Sequence, residues 1–315
     1  MKRLISIKFP TSPVDRLRWV LGAAVVGLVY YGYWGQKAGL GESAYEWLTG
    51  HWSDVSYYSH GPLIPLIAVW LAWWKRDELF AQPVAPTRNG WMVVAVAMAL
   101  YYIGMKGGQP HTVVISFVVL LYGLVLSLAG RAVFGVLFFP ITFLFLMIPL
   151  NFLEERIGLP LRHLMAWGSA VVLNVAGVET VKMGTQIMSH SFHLDVEKPC
   201  SGIRSLMALT TVTAAYGYVT QQSQWKRWVV FLSAIPLAVL GNMVRVVLIA
   251  LVAQNYGQKV AMDLHDSVAG YVVFGVALVA MVVFGMMLNV PYRQIWEKWT
   301  RPVTSSGGLA ETKHE

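Results

Sequence analysis

Trp228–Val252 reads WVVFLSAIPLAVLGNMVRVVLIALV, a stretch that is apolar on every side of a helix and carries one charge, Arg245. At ~1.5 Å per residue such a run makes a helix long enough to cross the ~30 Å hydrocarbon core of a bilayer. A surface helix of a soluble domain shows an apolar stripe, not an apolar circumference.

Working outward, similar runs fall at about 18–35, 61–74, 90–105, 111–130, 132–149, 200–220 and 266–288. The run at 61–74 is short, and the pair within 111–149 is broken only by Gly130-Arg131, which is read as a tight turn. Composition agrees: hydrophobic residues make up 56% of the 315-residue chain and charged residues only 13%, where a soluble domain has roughly 25% charged. The expectation is an all-α polytopic membrane protein of about eight transmembrane helices over 1–290. A polar tail follows at 291–315, including Ser305-Ser306-Gly307-Gly308, and is expected to be disordered. The first apolar run lacks a signal-peptide cleavage pattern and reads as a retained helix. No internal repeat and no second soluble domain is evident.

Two stretches break the pattern. Residues 151–175 open with Asn151, Glu154, Glu155 and Arg156 and become apolar late; they read as an amphipathic interfacial helix, with a ninth span as the alternative. Residues 176–198 carry Gly177, Gly184 and alternating Val, Thr, Ile and Phe, the signature of a short β-hairpin or extended segment. Such a segment belongs outside the hydrocarbon, because an open strand edge cannot face lipid. Eight alternating spans with the N-terminus inside put 15 of the 24 Lys and Arg on the cytoplasmic side. Seven fall outside, and Arg204 and Arg245 lie within apolar runs. The positive-inside rule therefore favours both termini inside and 151–198 outside.

The net charge is +8. The basic residues sit in short loops between apolar runs rather than on one polar face, which argues for topology signals and against nucleic-acid binding. One cysteine excludes an intrachain disulfide, so Cys200 is either an inert small hydrophobe or a reactive thiol. The topology brings it company: Cys200 opens the sixth span at its outer end, Arg245 lies near the outer end of the seventh, and His265 opens the eighth. A helix N-terminus and Arg204, four residues on, would favour thiolate at Cys200. Pro199 suits a helix start, and Ser201 and Gly202 make a slim first turn open to a substrate backbone. Thiolate, imidazole acid/base and a charge-stabilising guanidinium form an acyl-transfer set. Asn242 precedes Arg245 by three residues on the same helical face and is a candidate to orient it. Arg204 is a candidate to tune the thiol or to pair with Asp195 or Glu197. Asp266 could contact His265.

At these residues the chain resembles the exosortase/archaeosortase family of membrane cysteine transpeptidases. The matching pieces are Cys200-Ser201-Gly202-Ile203-Arg204-Ser205, Asn242-Met243-Val244-Arg245 and His265-Asp266-Ser267-Val268-Ala269-Gly270. The earlier Tyr58-Ser59-His60-Gly61-Pro62-Leu63, leading to Trp73-Trp74-Lys75-Arg76, is also similar. The resemblance covers about 18–290 and favours the bacterial exosortase branch, since the archaeal branch often has Arg at the place of His265. It implies Cys200 as nucleophile, Arg245 as stabiliser of the oxyanion or thiolate and His265 as general acid/base, with no cofactor. It implies a bacterial cytoplasmic-membrane enzyme whose active site faces outward. Its partners would be exported proteins with a C-terminal sorting tail of the PEP-CTERM type, and a cell-envelope acceptor. His60 and Tyr58 would line the approach to the site. Many exosortases carry a C-terminal extension linked to exopolysaccharide export; no such link is expected here.

Two rival readings carry less. His190 and His193, with Asp195 and Glu197 nearby, make no complete ligand set, and no metal is expected. A polytopic transporter or polymer-export component would account for an intramembrane arginine, but no inverted repeat or pair of broken helices supports it.

Overall fold

The structure, a computed structural model, describes residues 31–37, 41–52, 58–196, 202–267 and 269–290; at 34, 151–155, 264–267, 269 and 271 it describes the backbone alone. The expected polar tail at 291–315 lies outside these residues. So does most of the expected first span, of which Tyr31–Gly35 is described as a π-helical turn.

Among the described residues, the N-terminal half consists of helices joined by short connections. Helix α1 (Ala44–Gly50) falls between the apolar runs of the sequence. It begins with a capping box in which Ser43 Oγ accepts from the Glu46 N–H and the Glu46 carboxylate accepts from the Ser43 N–H. Next come α2 (Leu63–Trp74), the short α3 (Arg76–Ala81), α4 (Asn89–Lys106) and α5 (Pro110–Leu128). Then α6 (Arg131–Phe143) runs on as a 3₁₀ turn, Leu144–Met147. The α5–α6 break falls at Gly130, whose φ of +93° is left-handed. A Cβ there would sit 2.0 Å from the Ala85 carbonyl oxygen, so only glycine lets the two segments meet.

Helices α4 and α5 form a close pair because glycines line the seam. A Cβ at Gly90 would fall 2.4 Å from the backbone nitrogen of Ser127, and one at Gly123 would fall 2.7 Å from that of Val94. Small residues at helix seams are how helices pack when surrounding lipid removes the hydrophobic drive between them.

In the C-terminal half, α7 (Asn151–Val175) is one continuous helix. It leads into strands β1 (Val181–Met183), β2 (Gln186–Met188) and β3 (His193–Asp195). They pair antiparallel in sequence order, so the expected hairpin has a third strand. Ile187, Leu194 and Val196 are buried against Ile249, Ala250 and Ala253. Helices α8 (Ile203–Thr220), α9 (Gln224–Leu232), α10 (Ala234–Tyr256), α11 (Gln258–Ser267) and α12 (Ala269–Met287) follow.

The stretch expected as one helix over 228–252 bends at Ser233, between α9 and α10. Pro236 explains the bend: it has no N–H to offer the Leu232 carbonyl, and its ring crowds that carbonyl. Helix α10 is the hub of this half, packing against α7, α8, α11 and α12. Helix α8 joins the halves. Ala214, Ala215 and Tyr218 pack on the first core, while Leu209 is buried with Ala234, Ala238 and Ala277.

Outward faces carry apolar stripes at helical spacing. On α12 the exposed residues are Val272, Val276, Val279 and Val283; on α10 they are Leu240, Val244 and Leu248. Water would not stabilise such surfaces; hydrocarbon would. Among the described residues, α5 and the combined stretch Gln224–Tyr256 are long and apolar enough to cross a membrane. Leu63–Trp74, Arg131–Met147 and Val272–Met287 are apolar but shorter.

Candidate functional site

The segment before α8 differs from the sequence expectation. The helix begins at Ile203, not Cys200, with Gly202 as its N-cap at φ +79°. A left-handed residue interrupts an α-helix. Arg204 is therefore the second residue of the helix. Cys200 and Ser201 lie outside the described residues, as does Glu197. Asp195, one of the two acids considered for Arg204, instead accepts from Thr185 Oγ1 (3.0 Å) and Gln186 Nε2 (3.2 Å).

Gly202 itself is well placed to report on the site. A Cβ built on it would meet Asn242 Cβ and Nδ2 at 3.5 Å. Asn242 is 3% exposed, so the start of α8 and the middle of α10 are in direct contact there. Arg245 follows three residues later, on the face of α10 that also buries Val246 and Ile249. Its guanidinium lies over the first turn of α12: Cζ, Nη1 and Nη2 stand 3.5, 3.6 and 3.6 Å from the Cβ position of Gly270. The Nε atoms of Arg204 and Arg245 are both shut off from solvent.

Arg245 is nearer the middle of its helix than expected. Helix α10 continues for eleven residues to Tyr256, about 16 Å. That extension is roofed by the sheet and α11. Gln258 Nε2 donates to the His193 carbonyl (2.9 Å), and Ser191 bonds to Gln254. Nothing in the sequence signals these pairings across some sixty residues, nor Gly270 as the seat of Arg245.

His265 also moves. It belongs to α11, not to the opening of the last apolar helix, because the left-handed Gly257 (φ +89°) ends α10 and a separate short helix intervenes. The side chains of His265 and Asp266 lie outside the described residues. Their backbone precedes Gly270, the residue under Arg245, by five and four positions.

Tyr58 ties the turn before α2 to the start of α7. The Tyr58 hydroxyl accepts from the Leu150 N–H at 2.7 Å, and the Tyr58 and His60 rings stack at 6.0 Å. His60 Nδ1 is buried, and desolvation pushes the imidazole pKa below its usual value. In the sheet region His193 Nε2 meets Gln186 Oε1 at 3.0 Å, and His190 stands 4.0 Å from Glu179.

Contacts thus join three separated stretches of chain: 202–205 through Gly202, 242–245 at the centre, and 265–270 through Gly270. This junction holds a buried amide and a guanidinium inside an otherwise apolar bundle, where charge is poorly screened.

Comparisons with curated proteins and with solved structures returned no match. The sequence profile of the family described as "Transmembrane exosortase" matches residues 52–283. That interval takes in all four of the motif stretches, from Tyr58–Leu63 to His265–Gly270, and the chain belongs to the transmembrane exosortase family.

Proposed function

We propose that this membrane protein is a cysteine protease/transpeptidase that cuts C-terminal sorting tails from exported proteins and passes the new C-terminus to a cell-envelope acceptor. The observation that carries this reading is the double contact of α10: Asn242 against Gly202, two residues after the cysteine, and Arg245 against Gly270, five residues after the histidine.

In the proposed mechanism the Cys200 thiolate attacks the scissile carbonyl carbon. Arg245 stabilises the negative charge on the carbonyl oxygen in the tetrahedral intermediate. The C–N bond then breaks, His265 gives its proton to the leaving amine, and a thioester remains on Cys200. His265 next takes a proton from the acceptor nucleophile, an envelope amine or water, which attacks the thioester and frees the thiolate. Asn242 holds the Gly202 turn against α10, and Arg204 adds positive charge at the start of α8.

The reading includes the eight-span arrangement with both termini in the cytoplasm and the site facing out from a bacterial cytoplasmic membrane. The apolar stripes on α10 and α12 support lipid contact. The attachment of α7 to Tyr58 at its start, to the β1–β2 turn through His163 at its middle and to Thr180 through Ala170 near its end supports an interfacial, non-crossing helix. The substrate tail is a PEP-CTERM-type sorting signal.

Two measurements test the proposal. Cys200→Ala should abolish processing of a co-expressed tailed substrate; processing at the wild-type rate would remove the thiol from the mechanism and favour transport. A membrane-impermeant maleimide should label Cys200 on intact cells, since no other thiol is present. Labelling only after lysis would reverse the orientation.

A further inference from the structure

Gly257 divides α10 from α11 at a left-handed φ of +89°. Glycine takes that conformation at no steric cost and does nothing to stiffen the joint. Side chains on both flanks of the joint are tied to one stretch of the sheet. Three residues before it, Gln254 Oε1 accepts from the Ser191 hydroxyl, in the turn between β2 and β3. One residue after it, Gln258 Nε2 donates to the His193 carbonyl at 2.9 Å. That carbonyl lies on the outer edge of β3. The Ser189 N–H donates to Phe192 and the Val196 N–H to Thr185, and antiparallel pairs alternate, so the Met188↔His193 pair turns its backbone polar groups away from the ladder. Gln258 stands there in place of a further strand.

Below the sheet, one core holds a residue from each segment that leads to the site. Val196, Val246 and Ala261 are buried in it. Cys200 follows Val196 by four residues, at most ~14 Å of chain. Arg245 directly precedes Val246, and the His265 backbone follows Ala261 by one helical turn. The grip on α11 is the weakest of the three. Helix α10 is 23 residues long, and Val196 has its ladder bond to Thr185. Helix α11 has ten residues, and among its described side chains only Ala261 is buried, while Val260 and Met262 are 50% and 40% exposed. A helix that short is marginal in isolation, and one buried methyl group does little to fix its tilt.

We infer that Gln258 is a positioning residue: its bond to the edge of β3 sets the direction in which α11 leaves the Gly257 joint, and so places His265 relative to Cys200. The inference rests on the proposed reading of Cys200 and His265 as the reacting pair. The His265 backbone lies seven residues along α11 from Gln258, a lever of about 10 Å. A tilt of about 10° at the tethered end shifts it by about 2 Å, and a misplacement of about 1 Å can cost 100-fold in rate.

The test reads position and chemistry separately in the full-length protein in membranes. Cys200 is the one native thiol, so His265→Cys creates a single pair for a short bis-maleimide, and the intramolecular product is followed by peptide mass spectrometry. The cross-link should form in His265→Cys and slow about five-fold or more when Gln258→Met, similar in length but without an N–H, is added. Gln258→Arg, which restores a donor, should recover most of the rate, and Lys259→Ala should leave it unchanged. In the protein with His265 intact, Gln258→Met should lower kcat for tail removal about ten-fold or more, with KM and melting temperature near wild type. An unchanged cross-linking rate in Gln258→Met, no cross-link in His265→Cys itself, or a Gln258→Met processing loss that only follows loss of folded protein would overturn the inference. If Gln258→Met slows cross-linking while Cys200→Ala still processes substrate, the positioning role stands and the thiol mechanism falls.

Discussion

Replacing Gly202 by alanine tests whether the left-handed turn before α8 presents the thiol. At φ +79° an L-residue pays a steric penalty that amounts to about 1–2 kcal/mol. Crowding adds nothing, because the new methyl would meet Asn242 at 3.5 Å, an ordinary contact. The strain is relieved if residue 202 leaves the left-handed region, which redirects the chain toward Cys200. A bias of that size lowers the population of the native turn about 5- to 30-fold. Substrate processing by Gly202→Ala should fall by the same factor, while the melting temperature drops only a few degrees. Gly270→Ala is the matched control. It places a methyl 3.5 Å from Arg245 Cζ, but at a helical φ where alanine is favoured, so its rate should stay within about three-fold of wild type. The assay is the initial rate of tail removal in membranes at equal protein level. A Gly202→Ala rate equal to wild type, or a Gly270→Ala loss as large as that of Gly202→Ala, would refute the reasoning.

Arg245→Lys keeps the charge but not the flat guanidinium seated on Gly270, and should lower processing about 100-fold with the protein still folded; near-wild-type rates would show that charge alone suffices. His60 has its pKa lowered by burial, so stability is complete above the ordinary histidine value of ~6.5 and declines as pH falls below it, where the unfolded chain takes up a proton first. Melting temperatures between pH 7.5 and 5 should therefore fall less steeply in His60→Gln than in wild type, and equal slopes would contradict the burial argument. Gly123→Ala drives a methyl to 2.7 Å from the Val94 backbone nitrogen and should destabilise the α4–α5 pair by about 1–3 kcal/mol; an unchanged melting temperature would mean that the seam yields at no cost.

How far each element can be read in advance depends on the range of the interaction that makes it. Helices α4, α5, α6 and α12 follow their apolar runs within a few residues, because lipid-facing helices satisfy their own backbone and need no partner to form. The strand segment is legible from Gly184 and its β-branched neighbours, but the third strand is not, since β3 is held by Ile187↔Leu194 pairing and by Gln258. Helix α8 starts three residues later than its apolar run, because no propensity distinguishes a Gly202 that continues a helix from one that turns left-handed. His265 falls on a different helix from the one expected for a similar reason: Gly257 ends α10 and a short amphipathic helix intervenes before the apolar run resumes.

Membrane character, family and the identity of the candidate reacting groups are carried by residue type and spacing alone, because apolar length, a lone thiol and an arginine within an apolar run are properties of the chain. Which residues touch is decided by the packing of α10 among α7, α8, α11 and α12. Asn242 meets the Gly202 turn, and the Arg245 guanidinium meets Gly270, because close packing brings the starts of α8 and α12 against the middle of α10.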